Sequence, residues 1–209
     1  MEMIMANQYN KKEEFFNALT HGVGCFLTIP GLFLLLNKAG ASTIELVSYT
    51  IFGLAMFLMY LSSTLYHSVP AQKAFFKKLD HSSIFLLIAG TYTPIALVAI
   101  GGKVGWTIFF IEWTLAIIGI VLKQFFVYRF KIASLLVYIG MGWLIIFVYE
   151  PLLDYISLQG FLTLLSGGIF YTAGTYFYKN KKIPYNHAIW HLFVMGGSAA
   201  MYASVYFYL

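Results

Sequence analysis

The sequence predicts an all-α integral membrane protein of seven transmembrane helices, N-terminus cytoplasmic and C-terminus outside. Three observations predict it. Of 209 residues, 60% are hydrophobic and 10% are charged, whereas a soluble domain carries about 25% charged residues. Seven runs of the chain approach the roughly 20 apolar residues that a helix needs to cross about 30 Å of hydrocarbon. The basic residues segregate onto alternate breaks between those runs. Such a composition excludes a soluble globular domain, a disordered chain and a nucleic-acid module as readings of the whole chain. Continuous apolar runs also differ from the ten-residue alternation of a membrane barrel. Backbone in hydrocarbon has to satisfy its own hydrogen bonds, which again favours helices.

The first span, approximately residues 18–36, follows a polar segment containing Lys11, Lys12, Glu13 and Glu14. Ala39-Gly40-Ala41 after it resembles a signal-cleavage site, but the acidic pair and the near-full length of the run argue that the helix is retained. Cys25, the one cysteine, forms no intrachain disulfide and reads as a small packing residue. The second span, 45–67, closes on Ser62-Ser63-Thr64-Leu65-Tyr66-His67. The third, 81–100, is opened by Asp80 and carries Pro94, which is expected to kink it in mid-membrane. Gly101-Gly102-Lys103 separates it from the fourth, 104–122, which contains Glu112. The fifth, sixth and seventh run over 132–149, 157–177 and 187–208. Gly167-Gly168 and Gly196-Gly197 permit close helix approach. Seven helices with short loops use up the chain, which reads as one domain over 1–209.

Orientation follows from charge. The segments on the N-terminal side carry Lys11, Lys12, Lys73, Lys77, Lys78, Lys123, Arg129, Lys131, Lys179, Lys181 and Lys182, against Lys38 and Lys103 on the other side. An 11 to 2 split is the positive-inside pattern. It accounts for the net charge of +5 without nucleic acid, and adds contact with anionic lipid as a second use.

Polar groups inside a span are costly, so they mark where function is to be sought. His21, His67, His81, His187 and His191 all fall near the cytoplasmic end of some span. His187 and His191 are spaced i, i+4, one turn apart on one helix face, as two ligands of a metal can be. Taken alone, such a pair equally describes two histidines that hydrogen-bond at the interface. His67 adds a third imidazole, and three imidazoles with an open fourth position for water make a zinc site of the catalytic kind. Asp80 at the same level can accept a proton from that water or orient a ligand, or else cap the third helix. Ser63, one turn before His67, can hold water or a carbonyl oxygen, or back-bond to its own helix. His81 follows Asp80 directly, about 100° away around the helix, and stays outside the ligand set. Glu14, Asn17 and His21 either support the site by hydrogen bonds or anchor the first helix. Glu112, buried in the fourth span, has no evident partner at its depth.

These motifs, taken in order, resemble the haemolysin III family. The stretch Glu14, Asn17, His21, the Ser63-x3-His67 motif, Asp80, the run Ala89 to Pro94 and His187-x3-His191 carry the resemblance, which covers nearly the whole chain. It places the chain with the progestin and adiponectin receptors and the alkaline ceramidases, a superfamily of seven-span hydrolase-like proteins. The resemblance implies a bacterial plasma-membrane protein with Zn2+ on His67, His187 and His191 inside the cytoplasmic leaflet. It also implies that Asp80 and Ser63 act beside the metal's water, and that a membrane lipid amide or ester is the substrate. Two other classes stay open: a receptor-like lipid-binding protein with structural zinc, and a pore-forming cytolysin, as the family name suggests. Neither the natural lipid nor the oligomeric state is encoded in these motifs.

Overall fold

The computed structural model describes residues 9–209; the first eight residues of the expected cytoplasmic segment lie outside the described residues. All regular structure among the described residues is helical. α1 runs over Lys11–Lys38, α2 over Thr43–Ser68, and α3 over Lys73–Pro94 with a π-helical continuation Ile95–Ile100. Next come α4, Gly102–Phe126, and α5, Lys131–Gly142, the latter followed by a 3-10 segment Leu144–Val148 and the short α6, Tyr149–Leu153. α7, Leu158–Lys179, and α8, Asn186–Tyr208, complete the chain.

Six of these units are long and apolar enough to cross a membrane: α1, α2, α3 with its continuation, α4, the interrupted stretch Lys131–Leu153, and α8. α7 has 22 residues, about 33 Å at 1.5 Å per residue, but is less apolar. The reason is visible in the fold, since α7 presents Tyr171, Thr172, Thr175 and Tyr178 to an internal cavity. The surface is that of a membrane protein. Phe26, Phe33, Phe125, Phe147 and Phe207 are all exposed, while Asn17, His21, Ser63, Glu112 and His191 are buried. This inversion is stable only where the outside is hydrocarbon.

Local sequence explains the helix starts. Asn10 accepts from the Glu13 amide at 2.9 Å while the Glu13 carboxylate accepts from the Asn10 amide at 3.2 Å, a reciprocal capping box. Ser42 and Ser157 cap α2 and α7 in the simpler one-way manner. α3 begins at Lys73, with Gln72 in the left-handed region at its start, so Asp80 lies two turns inside the helix. That removes the capping role weighed for Asp80. The first turns of α3 carry Lys73, Lys77, Lys78 and Asp80, which is why the apolar run starts later than the helix.

Pro94 is where α3 leaves α-helical geometry for the π-helical turn Ile95–Ile100. A proline has no amide hydrogen and its ring displaces the preceding carbonyl, so the ladder has to rearrange there. The apolar stretch expected as a fifth continuous span is broken between Gly142 and Tyr149. Tyr92 fills the break, its hydroxyl donating to the Gly142 carbonyl at 3.0 Å and accepting from the Ile145 amide at 2.7 Å.

The helices pack in sequence, α1 on α2, α2 on α3 and α3 on α4, while α7 pairs with α8 and α1 touches α8 to close the arrangement. α3 is the most enclosed of the six apolar units. α7 and α8 approach through glycine: a Cβ on Gly167 would stand 3.1 Å from the Gly197 carbonyl oxygen. α5 packs only lightly on α3 and α4, and it meets α7 through the Trp143 Nε1 to Thr172 Oγ1 hydrogen bond of 3.0 Å. A cavity opens between them.

Candidate metal centre

Because α1 closes against α8 while packing on α2, the three helices bring histidines to one place. His67 near the end of α2 and His187 and His191 in the first turns of α8 are buried, and one nitrogen from each lies within 4.8 Å of the others. Their ring centroids stand 4.5 to 5.2 Å apart. Nitrogens around a tetrahedral zinc stand about 3.3 Å apart, so side-chain adjustments of about an ångström close the set. His187 and His191 are neighbours because i, i+4 residues share a helix face.

Hydrogen bonds define which nitrogens remain free. His67 Nδ1 lies 2.6 Å from Glu14 Oε2, and Glu14 Oε1 accepts from Lys73 Nζ at 2.7 Å. A carboxylate accepts, so Nδ1 carries the hydrogen and Nε2 keeps its lone pair. That Nε2 is buried without a partner among the described residues. His191 Nδ1 lies 3.0 Å from the Asn17 carbonyl and 3.1 Å from Thr20 Oγ1. The Thr20 hydroxyl already donates to backbone carbonyls of its own helix, so His191 Nδ1–H is the donor and its Nε2 is free as well. Carboxylate or carbonyl acceptors behind the imidazoles are what metal-binding histidines use to fix tautomer and ring orientation. Buried polar nitrogens left unpaired cost about 1–3 kcal/mol each, and a metal ion removes that cost. The donor set therefore fits a metal ion.

Asp80 and Ser63 border the same place. Both line a cavity of about 150 Å³ that also touches His187 and His191. Ser63 Oγ is buried, and among the described residues it does not form the back-bond to its own helix. Asn17 and His21 are buried with unpartnered side-chain atoms, and His21 stacks on His191 with centroids 3.5 Å apart and planes at 11°. The flat packing of His21 helps to orient the His191 ring. Tyr9, just before α1, stacks on His187 at 5.0 Å, and burial pushes its hydroxyl well above the usual tyrosine range. His81 lines the cavity outside the histidine cluster. Glu112 is elsewhere, in the middle of α4, fully buried with neither carboxyl oxygen partnered.

The roles of Tyr9, Thr20 and Lys73 were not read from sequence, and that of Glu14 stayed one of two alternatives. The one available signal was the acidic pair at the start of α1, because a carboxylate entering a membrane helix needs a partner.

Comparisons with known proteins find relatives along nearly the whole chain. The family model described as Haemolysin-III related matches residues 9–202. Hemolysin-3 of Bacillus cereus is 52% identical over 203 residues, covering 95% of this chain and 92% of that protein. The Hemolysin-3 homolog of Bacillus subtilis (strain 168) is 52% identical over 201 residues, covering 94% of each chain. The human monocyte to macrophage differentiation factor, a member of the progestin and adiponectin receptor family, is 28% identical over 211 residues, covering 94% of this chain and 84% of that protein. The chain belongs to the haemolysin III family of membrane proteins.

Proposed function

We propose that the protein is a zinc-dependent hydrolase of a lipid amide or ester, working at the cytoplasmic face of a bacterial plasma membrane. In this reading it forms one seven-helix domain with α7 as the sixth span, the N-terminus inside and the C-terminus outside. The observation that carries the reading is a cluster of three buried imidazoles, two of which line a largely apolar cavity together with Asp80 and Ser63.

His67, His187 and His191 would hold the ion, with Glu14 and the Asn17 carbonyl fixing His67 and His191. Zinc in such a site supplies a Lewis acid for a carbonyl and lowers the pKa of water by many units. Asp80 is the group able to take a proton from the attacking water and return it to the leaving amine or alcohol. Ser63 Oγ, free of any backbone bond, is able to hydrogen-bond the substrate carbonyl. The cavity wall of Ile84, Leu87, Ile88, Leu135, Ile139 and Met201 suits an acyl chain, and this apolar lining keeps bulk water from the reacting carbonyl.

Purified protein is expected to carry about one zinc per chain by elemental analysis, one ion for the three-imidazole set. Replacing both His187 and His191 by alanine should remove it. Full retention in that double variant would overturn the site assignment. Asp80→Asn should keep the zinc while fatty-acid release from a lipid panel falls by about 10²-fold or more; release at the wild-type rate would remove Asp80 from the chemistry. A lytic role, which the names of the two Bacillus relatives carry, is the second reading, and dye leakage from liposomes containing the pure protein is its test.

A further inference from the structure

Beside the metal centre lies a second hollow of about 210 Å³, lined by Lys77, Lys131, Lys179 and Lys181 and sharing Asp80 and His187 with the histidine site. These lysines come from α3, α5, α7 and the turn before α8. One carboxylate, Asp80, faces them in the lining. Among the described residues the ion pairs of lysine are confined to Lys73 with Glu14, so the four ammonium groups have no salt-bridge partner. Lys131 also lines the neighbouring cavity, together with Lys123. Lys123 is 5% exposed; its Nζ donates to Ser134 Oγ at 2.7 Å and makes no salt bridge among the described residues.

The positive-inside rule accounts for lysines at the cytoplasmic ends of helices. It does not account for one that is buried and unpaired, because a desolvated ammonium without a counter-charge is costly. Nor does it account for lysines of four segments rimming one hollow that shares Asp80, Lys131, Leu135 and His187 with the apolar cavity. Tyrosines hold the side chains in place. Lys181 Nζ donates to Tyr9 Oη at 3.0 Å and lies 5.2 Å from the Tyr178 ring, and Lys77 lies 4.5 Å from the Tyr128 ring. Desolvation and the charge of Lys131 pull the Lys181 ammonium below the ordinary lysine range, and the charge of a bound anion favours the ammonium form against both.

We propose that this vestibule, with Lys123 on its inner side, binds the phosphate of an anionic lipid headgroup, so that the ligand of the cavity is a phosphate-bearing lipid. The proposal rests on the reading of the cavity as a lipid site and is independent of whether hydrolysis follows. Ammonium groups bind phosphate as point charges strengthened by hydrogen bonds. Holding the phosphate at the vestibule leaves the chains to enter the apolar cavity and sets the carbonyl beside Asp80 and the histidines.

Native mass spectrometry of the full chain in detergent tests it, using phosphatidylglycerol, diacylglycerol with the same chains, and inorganic phosphate as probes. The wild type should retain one phosphatidylglycerol about 10-fold more tightly than diacylglycerol, the scale of one charge-assisted hydrogen bond. Lys123→Gln with Lys131→Gln should abolish that preference and leave diacylglycerol retention unchanged. Lys11→Gln with Lys12→Gln, the same charge change elsewhere, should leave both unchanged. If the vestibule pair disturbs folding, seen as lost diacylglycerol retention, the exposed Lys181→Gln substitution carries the test, with about 3-fold weaker phosphatidylglycerol binding expected. Equal retention of the two lipids, equal loss in the control pair, or inorganic phosphate binding in place of the lipid overturns the proposal. Because the readout is binding, absent hydrolysis leaves it standing, whereas lost selectivity with hydrolysis intact overturns this proposal alone.

Discussion

His67 and His191 each engage one ring nitrogen with the protein and leave the other free, and the groups that do this are a carboxylate and a backbone carbonyl. The two differ in consequence. Glu14→Gln keeps an acceptor for His67 but removes the charge and frees Lys73, so zinc affinity measured by chelator competition should fall about 10- to 100-fold. Unchanged affinity would mean that Glu14 merely anchors α1. Glu112 supplies the opposite case, a buried carboxyl with neither oxygen partnered. Glu112→Met, which removes the desolvation cost at similar volume, should stabilise the protein by about 1–3 kcal/mol, seen as a higher thermal midpoint in detergent. A lower midpoint would reveal a partner for the carboxyl. At this scale the sequence was partly legible. The i, i+4 pair is a property of one helix and can be read directly. The bond from Glu14 to His67 joins residues 53 apart in sequence and depends on how two helices settle against each other, which no local pattern encodes.

Helices differ in how well their apolar runs predict them. α2, α4 and α8 follow the hydropathy to within a few residues, with Ser42 capping the start of α2 and Gly101 and Tyr185, both at positive φ, preceding α4 and α8. The interruption after α5 does not, since Gly142 to Val148 is as apolar as its surroundings and the break is made by Tyr92 of another helix. α7 shows a third behaviour: its polar side chains face the cavity, which lowers the hydropathy of a helix of spanning length. The tight contact of α7 with α8 also sets the histidines, because α8 carries two of them. Gly197 faces the Tyr171 ring, and a Cβ there would come within 2.8 Å of it. Gly197→Leu should force the pair apart at a cost of about 1–3 kcal/mol and lower zinc retention along with the melting temperature. A variant that melts earlier yet holds full zinc would uncouple the helix pair from the site.

For the molecule as a whole, the proposed orientation and the proposed chemistry both rest on its scarce charges. The proposed topology places Ala41 outside and Asn180 inside. In a Cys25→Ser background, Ala41→Cys should react with an impermeant maleimide on intact cells, and Asn180→Cys only after permeabilisation. The reverse pattern would invert the fold and place the histidines at the external face. Membrane residence was legible in the composition because it is a bulk property, and the buried polar cluster is its complement. The interrupted span has a mechanical consequence. Lys131–Gly142 is joined to Tyr149–Leu153 by a stretch without an α-helical ladder, so the Lys131–Gly142 lever ends at a joint pinned by the Tyr92 hydroxyl. That lever forms one wall of the cavity. Tyr92→Phe withdraws the pin, and faster amide hydrogen exchange confined to residues 131–148 is the expected signature. The cavity is thus walled on one side by a jointed rod, the joint lying in the backbone and its fastening on a neighbouring helix.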